Sequence, residues 1–197
     1  MMEDLYRYIK EQVELTPEDI DFGEPKWLRE LKKKGKQRPD GRWDFEINVD
    51  LRNYKLYQLP LKFGIVRGYF NCSYNNLTTL EGAPEKVAGY FYCHSNNLTT
   101  LEGAPKKVKR SFYCSYNNLI TLEGAPKKVE GSFDCHNNHL TTLEGAPEKV
   151  GGDFNCHSNN LTTLEGAPEK VGLGFYCYNN PVSVEELIKT VDRDYLK

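Results

Sequence analysis

Apolar residues recur along most of the chain in a pattern of fixed period, which the cysteines at positions 72, 93, 114, 135, 156 and 177 mark most plainly. In one repeat, Phe91 and Cys93 alternate with polar residues, and Leu98 and Leu101 follow at a fixed distance. Alternation over so short a stretch predicts a short strand with one buried face. A fixed period of this length is typical of a solenoid, in which each repeat forms one coil and stacks on its neighbours.

The polar part of the repeat is nearly invariant. The run Asn-Asn-Leu-Thr-Thr-Leu-Glu-Gly-Ala-Pro occupies 75–84 and returns at 96–105, 117–126, 138–147 and 159–168, with Ile120 and His139 as its departures. Asn96 stands three residues after Cys93, where its amide can bond backbone groups as the chain leaves the strand. Gly103 and Pro105 leave little room for a helix, so we expect an extended or polyproline-like return path.

Six cysteines share one position of the repeat. They are Cys72, Cys93, Cys114, Cys135, Cys156 and Cys177. In a solenoid they point the same way on neighbouring strands, where side-by-side Cβ atoms lie near ~5 Å, beyond the ~3.8 Å that a disulfide favours. Metal ligands must converge on a point, whereas this column runs in a line. We therefore expect reduced thiols that serve as small buried apolar side chains.

The regular repeats occupy 68–182, and the chain on either side of them differs. Residues 43–67 form a degenerate capping repeat, because Val49, Leu51, Leu56, Leu59 and Val66 lie one period before the apolar positions of the next coil. Residues 183–197 begin with a capping box and predict a C-terminal capping helix. It would cover the last open strand edge.

Residues 1–42 do not repeat, and we expect a helical N-terminal cap followed by a basic linker. Residues 3–15 have approximately helical apolar spacing, and a further short helix holds Trp27, Leu28 and Leu31. The stretch from Lys32 to Arg42 is basic and rich in glycine and proline, which favours an exposed linker. A nucleic-acid contact is the alternative, but no aromatic stacking residue is interleaved with its charges.

The motif Phe-x-Cys-x-x-Asn-x-Leu-x-x-Leu resembles the core of leucine-rich repeats. With its Leu-Thr-x-Leu-Glu-Gly-x-Pro run, the chain most resembles the leucine-rich-repeat-like proteins of bacteriophages and large DNA viruses. It is also similar to the short repeats of secreted bacterial effectors. The resemblance implies an α+β solenoid of about seven coils with a parallel sheet on its concave face. In this chain Ala83 and its equivalents replace a leucine of the effector repeats. We do not extend the ubiquitin-ligase activity of some effectors to this chain.

Composition narrows the classes of function. Lys+Arg 26 against Asp+Glu 28 leaves a formal charge of -2, so we expect neither nucleic acid nor a membrane as partner. No apolar run approaches ~18 residues, and the first residues lack the order of a secretory signal. We expect a cytoplasmic protein, in the host cytoplasm if it is viral. The sequence shows no phosphate-binding glycine loop and no nucleophile–base pair, so we expect no enzyme and no cofactor.

The variable positions of the repeat flank the inward Phe and Cys, and they should project from the concave sheet. Their tyrosine, histidine, asparagine and serine content resembles that of antibody paratopes, where tyrosine gives contact area at low entropy cost. Neutral drift on a solvated sheet is the alternative. The candidate partner-binding residues are Tyr69, Asn71, Tyr74, Tyr90, Tyr92, His94, Tyr113, Tyr116, Asp134, His136, Asn155, His157, Tyr176 and Tyr178.

Two further columns admit more than one interpretation. His136 and His157 lie on adjacent coils and, with Asp134 and Asp153 nearby, suit a divalent ion, although equally spaced surface histidines need no ligand. A column of glutamates, Glu81, Glu102, Glu123, Glu144 and Glu165, should be exposed. We expect it to be offset by the lysines at 86, 107, 128, 149 and 170.

The sequence therefore predicts a monomeric protein-binding module that engages a folded partner through its concave sheet. By analogy with the viral proteins, that partner would be a host or viral protein that the chain blocks or recruits. A virion or assembly component, with the solenoid as a rigid spacer, is the structural alternative. An enzyme would need a site within 1–42, which contain no histidine or cysteine.

Overall fold

The computed structural model describes residues 23–185, and the chain divides into two units, Met1–Lys33 and Lys34–Lys197. In the first unit, helix α1 (Lys26–Lys33) holds Trp27, Leu28 and Leu31, as the sequence predicted. Lys32 and Lys33 lie in its last turn, where positive charge is favourable to the helix dipole. The N-terminal helix expected at 3–15, and the C-terminal helix beyond its first residues, lie outside the described part.

The second unit is a β-solenoid whose coils stack through two sheets. Six turns of the repeat separate its first regular strand at Val49 from its last at Phe175. No helix within residues 23–185 is long and apolar enough to cross a membrane.

The strands alternate between the two sheets along the chain. They are β1 (Gly35–Gln37), β2 (Trp43–Phe45), β3 (Val49–Asp50), β4 (Phe63–Val66), β5 (Phe70–Asn71), β6 (Lys86–Val87), β7 (Phe91–Tyr92), β8 (Lys107–Val108), β9 (Phe112–Tyr113), β10 (Lys128–Val129), β11 (Phe133–Asp134), β12 (Lys149–Val150), β13 (Phe154–Asn155), β14 (Lys170–Val171) and β15 (Phe175–Tyr176). The odd strands from β3 to β15 form the phenylalanine sheet, while β1, β2 and the even strands form the valine sheet. Apart from the antiparallel β1–β2 pair, all neighbours are parallel.

The second sheet corrects the expectation of an α+β solenoid: the return path is extended, as expected, but it pairs from coil to coil and makes the architecture a β-solenoid. After Pro84 the chain extends for two residues, and Lys86 and Val87 pair in register with Lys107 and Val108. Lysine faces outward and valine is buried. Because identical coils stack in register, the return path can bond coil to coil as readily as the first strand does. Among the described residues, the only helical element of more than two residues is α1, outside the solenoid.

A column of stacked phenylalanines runs through the core. Phe70 and Phe91 have ring centroids 5.7 Å apart and planes within 8°, and Phe112 and Phe133 stack at 5.2 Å. The repeated leucines and cysteines are also fully buried from the second coil to the fifth. Each fully buried phenylalanine or leucine side chain contributes about 1.5–3 kcal/mol. The degenerate first coil joins this core, since Val49 lies opposite Phe70 in register.

A buried asparagine joins each coil to the one before it. Asn117 donates from Nδ2 to the carbonyls of Cys93 (3.1 Å), Cys114 (3.0 Å) and Ser115 (3.3 Å). Its Oδ1 accepts from the backbone N–H of Leu98 at 3.1 Å. The predicted bonding of backbone groups is confirmed, and it extends to the preceding coil.

The repeated glycine is required by close stacking of the coils. At Gly124 φ is +93°, a left-handed conformation that glycine adopts without strain. A Cβ atom there would lie 2.3 Å from the carbonyl carbon of Leu101 in the preceding coil. This position therefore excludes side chains on both grounds.

The six cysteines are free thiols, and all are buried except the partly exposed Cys177. The thiol of Cys72 donates to the carbonyl of Tyr92 at 3.4 Å, and that of Cys93 to Tyr113 at 3.5 Å. Burial raises the pKa of Cys72 to about 12. Thiols held in this way are protonated and unreactive.

The basic segment from Lys32 to Arg42 is more structured than the linker expected there. It contains β1, which pairs with β2 as an antiparallel hairpin. Arg38 donates to Asp44 (2.9 Å) and Glu85 (3.0 Å), so its guanidinium ties the hairpin to the second coil. Specific ion pairs, rather than solvated charge, account for part of this basic run.

Candidate recognition surface

The outer side of the phenylalanine sheet, which we call the aromatic face, carries the positions that flank each inward Phe and Cys. Tyr74, Tyr90, Tyr116, Tyr176 and Tyr178 are exposed. The other candidates are part-exposed, namely Tyr69, Tyr92, His94, Tyr113, Asp134, His136, Asn155 and His157. Asn71 is instead buried, at 8% exposure, and its Oδ1 accepts from both the N–H and the hydroxyl of Ser73.

Four tyrosines form a continuous cluster on coils two to four. Tyr92 and Tyr113 stack at 5.0 Å with planes within 5°, and Tyr90 packs against both, at 5.8 and 6.4 Å. Tyr69 meets Tyr92 edge-on at 6.3 Å. Burial raises the pKa of the Tyr92 phenol. Stacking leaves ring edges and hydroxyls, more than ring faces, available to a partner.

A second aromatic group follows the histidine column. His136 stacks on His157 (4.6 Å), and His157 stacks on Tyr178 (4.3 Å). Tyr116 lies edge-on to His136 at 4.9 Å. The same edge-on pair occurs two coils earlier between Tyr74 and His94, at 5.0 Å.

The ionisable groups of the aromatic face are held by their neighbours. His136 Nδ1 lies 2.5 Å from Asp134 Oδ1. Burial lowers the pKa of His94 and of His157, and the neighbouring charge of His136 lowers both further. These surroundings favour the neutral imidazole at His94 and His157.

A shallow pocket of ≈ 430 Å³ lies at the first-coil end of the tyrosine cluster, between Tyr69, Tyr74, Tyr92 and Arg52. Arg52 forms an ion pair with Asp50 at 2.7 Å. A hydrogen bond from Arg52 is the largest cause of the lowered pKa of Asp50. Sequence reasoning missed Arg52, although its place one repeat before Ser73 could have identified it.

Two columns of the aromatic face contain side chains that support the coil. Just before the Phe position, Asn48, Ser111, Ser132 and Asp153 each accept a bond from the backbone N–H 21 residues later. Between Phe and Cys, Asp50, Asn71, Asp134 and Asn155 each accept from the N–H two residues later. Tyrosine stands in these columns at 69, 90, 92, 113 and 176, where its phenol replaces that short acceptor.

A third column has a left-handed backbone in every regular coil. Asn137 and Asn179 adopt φ of 51° and 54°, which asparagine tolerates well. Tyr74 and Tyr116 adopt φ of 54° and 53°. Their side chains are 55% and 56% exposed, so core burial does not offset this strain.

The histidine column does not form a metal site in the described part of the chain. Among residues 23–185, no group of three or more His, Cys, Asp and Glu side chains is placed to hold a metal ion. Of the two aspartates near His136 and His157, Asp134 contacts His136, whereas Asp153 accepts from the N–H of Gly174 at 2.9 Å.

Comparison of the chain with protein-family models, with curated proteins and with solved structures finds no match. The structure itself shows a repeat solenoid whose coils stack through parallel strands.

Proposed function

We propose that this chain is a protein–protein interaction module that binds a folded partner through the tyrosines and histidines of the aromatic face. One observation carries the proposal. In three separate columns, tyrosine occupies a position where two or more of the other coils hold a residue that accepts a backbone hydrogen bond or tolerates a left-handed backbone. We call those alternatives frame residues.

The energetic cost of tyrosine at these positions favours a role in partner contact over neutral drift. A net hydrogen bond contributes about 0.5–1.5 kcal/mol, and a left-handed non-glycine residue costs about 1 kcal/mol or more. Tyr74 and Tyr116 lie largely in solvent. Stability of the coil alone favours frame residues there, whereas a surface that binds a partner favours tyrosine.

The geometry supports a protein partner over a sugar or a nucleic base. Those ligands bind ring faces, but the faces of Tyr92 and Tyr113 stack on each other. Phenol hydroxyls, imidazole edges and the Arg52–Asp50 pair form a surface of mixed hydrogen-bond donors and acceptors. Such surfaces suit the polar and apolar mixture of a folded protein.

The motif resemblance extends the proposal. It supports kinship with the leucine-rich-repeat-like proteins of bacteriophages and large DNA viruses, and hence a cytoplasmic host or viral protein as the partner that is blocked or recruited. This step rests on the resemblance of the repeat alone.

The test is capture from a lysate with matched variants. The frame variant combines Tyr90→Ser, Tyr92→Asn and Tyr116→Asn, one substitution in each column. Each tyrosine is replaced by a residue that occupies the same column in another coil. The control Ile120→Thr restores the repeat at a side chain that is 63% exposed. A protein captured by the parent and the control, but not by the frame variant, supports the proposal.

A rigid spacer is the second candidate, favoured by the continuous phenylalanine and asparagine columns through the coils. A spacer tolerates loss of the surface tyrosines. Equal capture by parent and frame variant, or assembly activity retained by the frame variant, would therefore favour the spacer over recognition.

A further inference from the structure

The valine sheet presents a column of lysines on its outer side. Lys86 pairs in register with Lys107, and Lys149 with both Lys128 and Lys170. All five are exposed. Neighbouring parallel strands lie about 4.8 Å apart, and like charges directly opposite one another destabilise a sheet.

Lys86, Lys107 and Lys128 of this column border a groove of ≈ 640 Å³ over the first coils of the sheet. Seven of its twelve lining residues are cationic, and Glu130 is the one carboxylate among them. Ile65, Ala88 and the edges of Val87 and Val108 give the groove an apolar floor. It therefore combines a strong positive charge with a strip that an apolar side chain can cover.

The positive charge of the groove is only partly neutralised. Arg67 pairs with Glu46 (2.7 Å) and Lys127 with Glu148 (3.4 Å), in both cases with exposed side chains. Lys86, Lys107 and Lys128 form no ion pair with any residue of 23–185. The sequence suggested that the glutamate column offsets the lysines, but the described structure pairs none of these three with it.

We propose that this groove binds an extended acidic segment of a partner protein, with one apolar side chain of that segment seated on Ile65 and Ala88. The segment's carboxylates would lie between Lys86, Lys107 and Lys128 on one side and Arg67 and Lys109 on the other. The site is separate from the aromatic face, so it does not depend on the function proposed above.

The surroundings of the groove select a narrow ligand. In the adjoining depression three carboxylates, Glu85, Glu102 and Glu123, alternate with Arg42, Lys86, Lys106 and Lys107, so the excess of positive charge is concentrated in the groove. A nucleic-acid duplex or an anionic bilayer is wide enough to meet these carboxylates as well, which weakens its attraction to this side of the sheet. A single nucleic-acid strand relies on aromatic stacking, and the groove has no aromatic lining. A peptide chain meets neither obstacle.

The test uses a short fluorescein-labelled peptide with glutamate at alternate positions, serine between them and one central leucine. Fluorescence anisotropy compares the parent with Lys107→Gln/Lys128→Gln. The matched control, Lys149→Gln/Lys170→Gln, removes the same charge from the same column beyond the groove. Thermal unfolding shows that both variants remain folded.

We expect the groove variant to weaken peptide binding about tenfold, from loss of two charge contacts, and the control variant to have little effect. A peptide with glutamine for glutamate should not bind, and added salt should weaken binding. Ile65→Ser should weaken binding of the leucine peptide but not of a second peptide that has serine in place of the leucine. The last comparison tests the apolar floor separately from the charge.

Equal weakening by the two double variants would overturn the proposal, as would absence of peptide binding to the parent. A duplex oligonucleotide or an oligo-dT strand that binds the parent more tightly than the peptide, and loses affinity in the groove variant, would replace the acidic segment with nucleic acid.

Discussion

Asn117 donates from Nδ2 to the carbonyl of Cys93, 24 residues earlier in the chain and one coil away, at 3.1 Å. The same side chain bonds Cys114 in its own coil. One buried amide thus fixes both the exit from a strand and the stacking of two coils. Equivalent bonds are made by Asn75, Asn96, Asn138 and Asn159.

Replacing Asn117 with alanine should lower the free energy of unfolding by about 3 kcal/mol or more, because each buried polar group left without a partner costs about 1–3 kcal/mol. Urea unfolding measures this. The control is Asn118→Ala, an exposed neighbour in the same Asn-Asn pair. It should change stability by less than about 0.5 kcal/mol. Equal destabilisation by the two substitutions would contradict a stabilising role for the buried asparagine column.

The asparagine shows how far the sequence predicts this fold. Its position after the strand predicted backbone bonding within its own coil. The bond to the preceding coil depends on how far each coil is offset from its neighbour, which no single repeat contains. The valine sheet was missed for a similar reason: two residues such as Lys86 and Val87 are too few for a periodicity, and they become a strand only by pairing with the next coil.

The thiols should differ sharply in reactivity. We expect an alkylating reagent to modify Cys177 in the native protein and to reach Cys72, Cys93, Cys114, Cys135 and Cys156 only after denaturation. Burial raises the pKa of Cys72 to about 12 and that of the other four well above the ordinary range. Mass spectrometry of the modified protein counts the reacted thiols. Alkylation of two or more of the buried five in the native state would contradict this arrangement.

Stability should fall on acidification through the histidine range. Burial lowers the pKa of His94 and His157 below the ordinary 6.5, with Asp134 opposing the shift and His136 contributing to it. As pH falls below 6.5 the unfolded chain takes up these protons first, so the free energy of unfolding decreases until the lowered folded pKa values are passed.

Urea unfolding at several pH values measures the effect, and His94→Gln/His157→Gln should flatten it. A double variant that keeps the full slope between neutral pH and the lowered pKa range would show that other groups are responsible.

The candidate site was only partly predictable. The tyrosine and histidine columns follow from alternation about Phe91 and Cys93, and most of them do reach the surface. Asn71 is buried and its short amide bonds back onto Ser73, a contact that the alternation pattern does not reveal. The strain at Tyr74 and Tyr116 requires a backbone angle, which the sequence does not contain.

The tyrosines are proposed to contact a partner rather than to stabilise the coil. The most direct test is urea unfolding of the variant Tyr90→Ser/Tyr92→Asn/Tyr116→Asn, which gives its free energy of unfolding. The variant loses six ring contacts, which for rings at the surface are worth about 0.5 kcal/mol each. It gains two backbone hydrogen bonds of about 0.5–1.5 kcal/mol each and relieves about 1 kcal/mol of backbone strain, so the two sides should nearly cancel. We predict that the free energy of unfolding of the variant lies within about 1 kcal/mol of that of the parent, or above it. A loss of more than about 2 kcal/mol would mean that the rings are packing elements of the coil, and would remove the main support for a recognition surface.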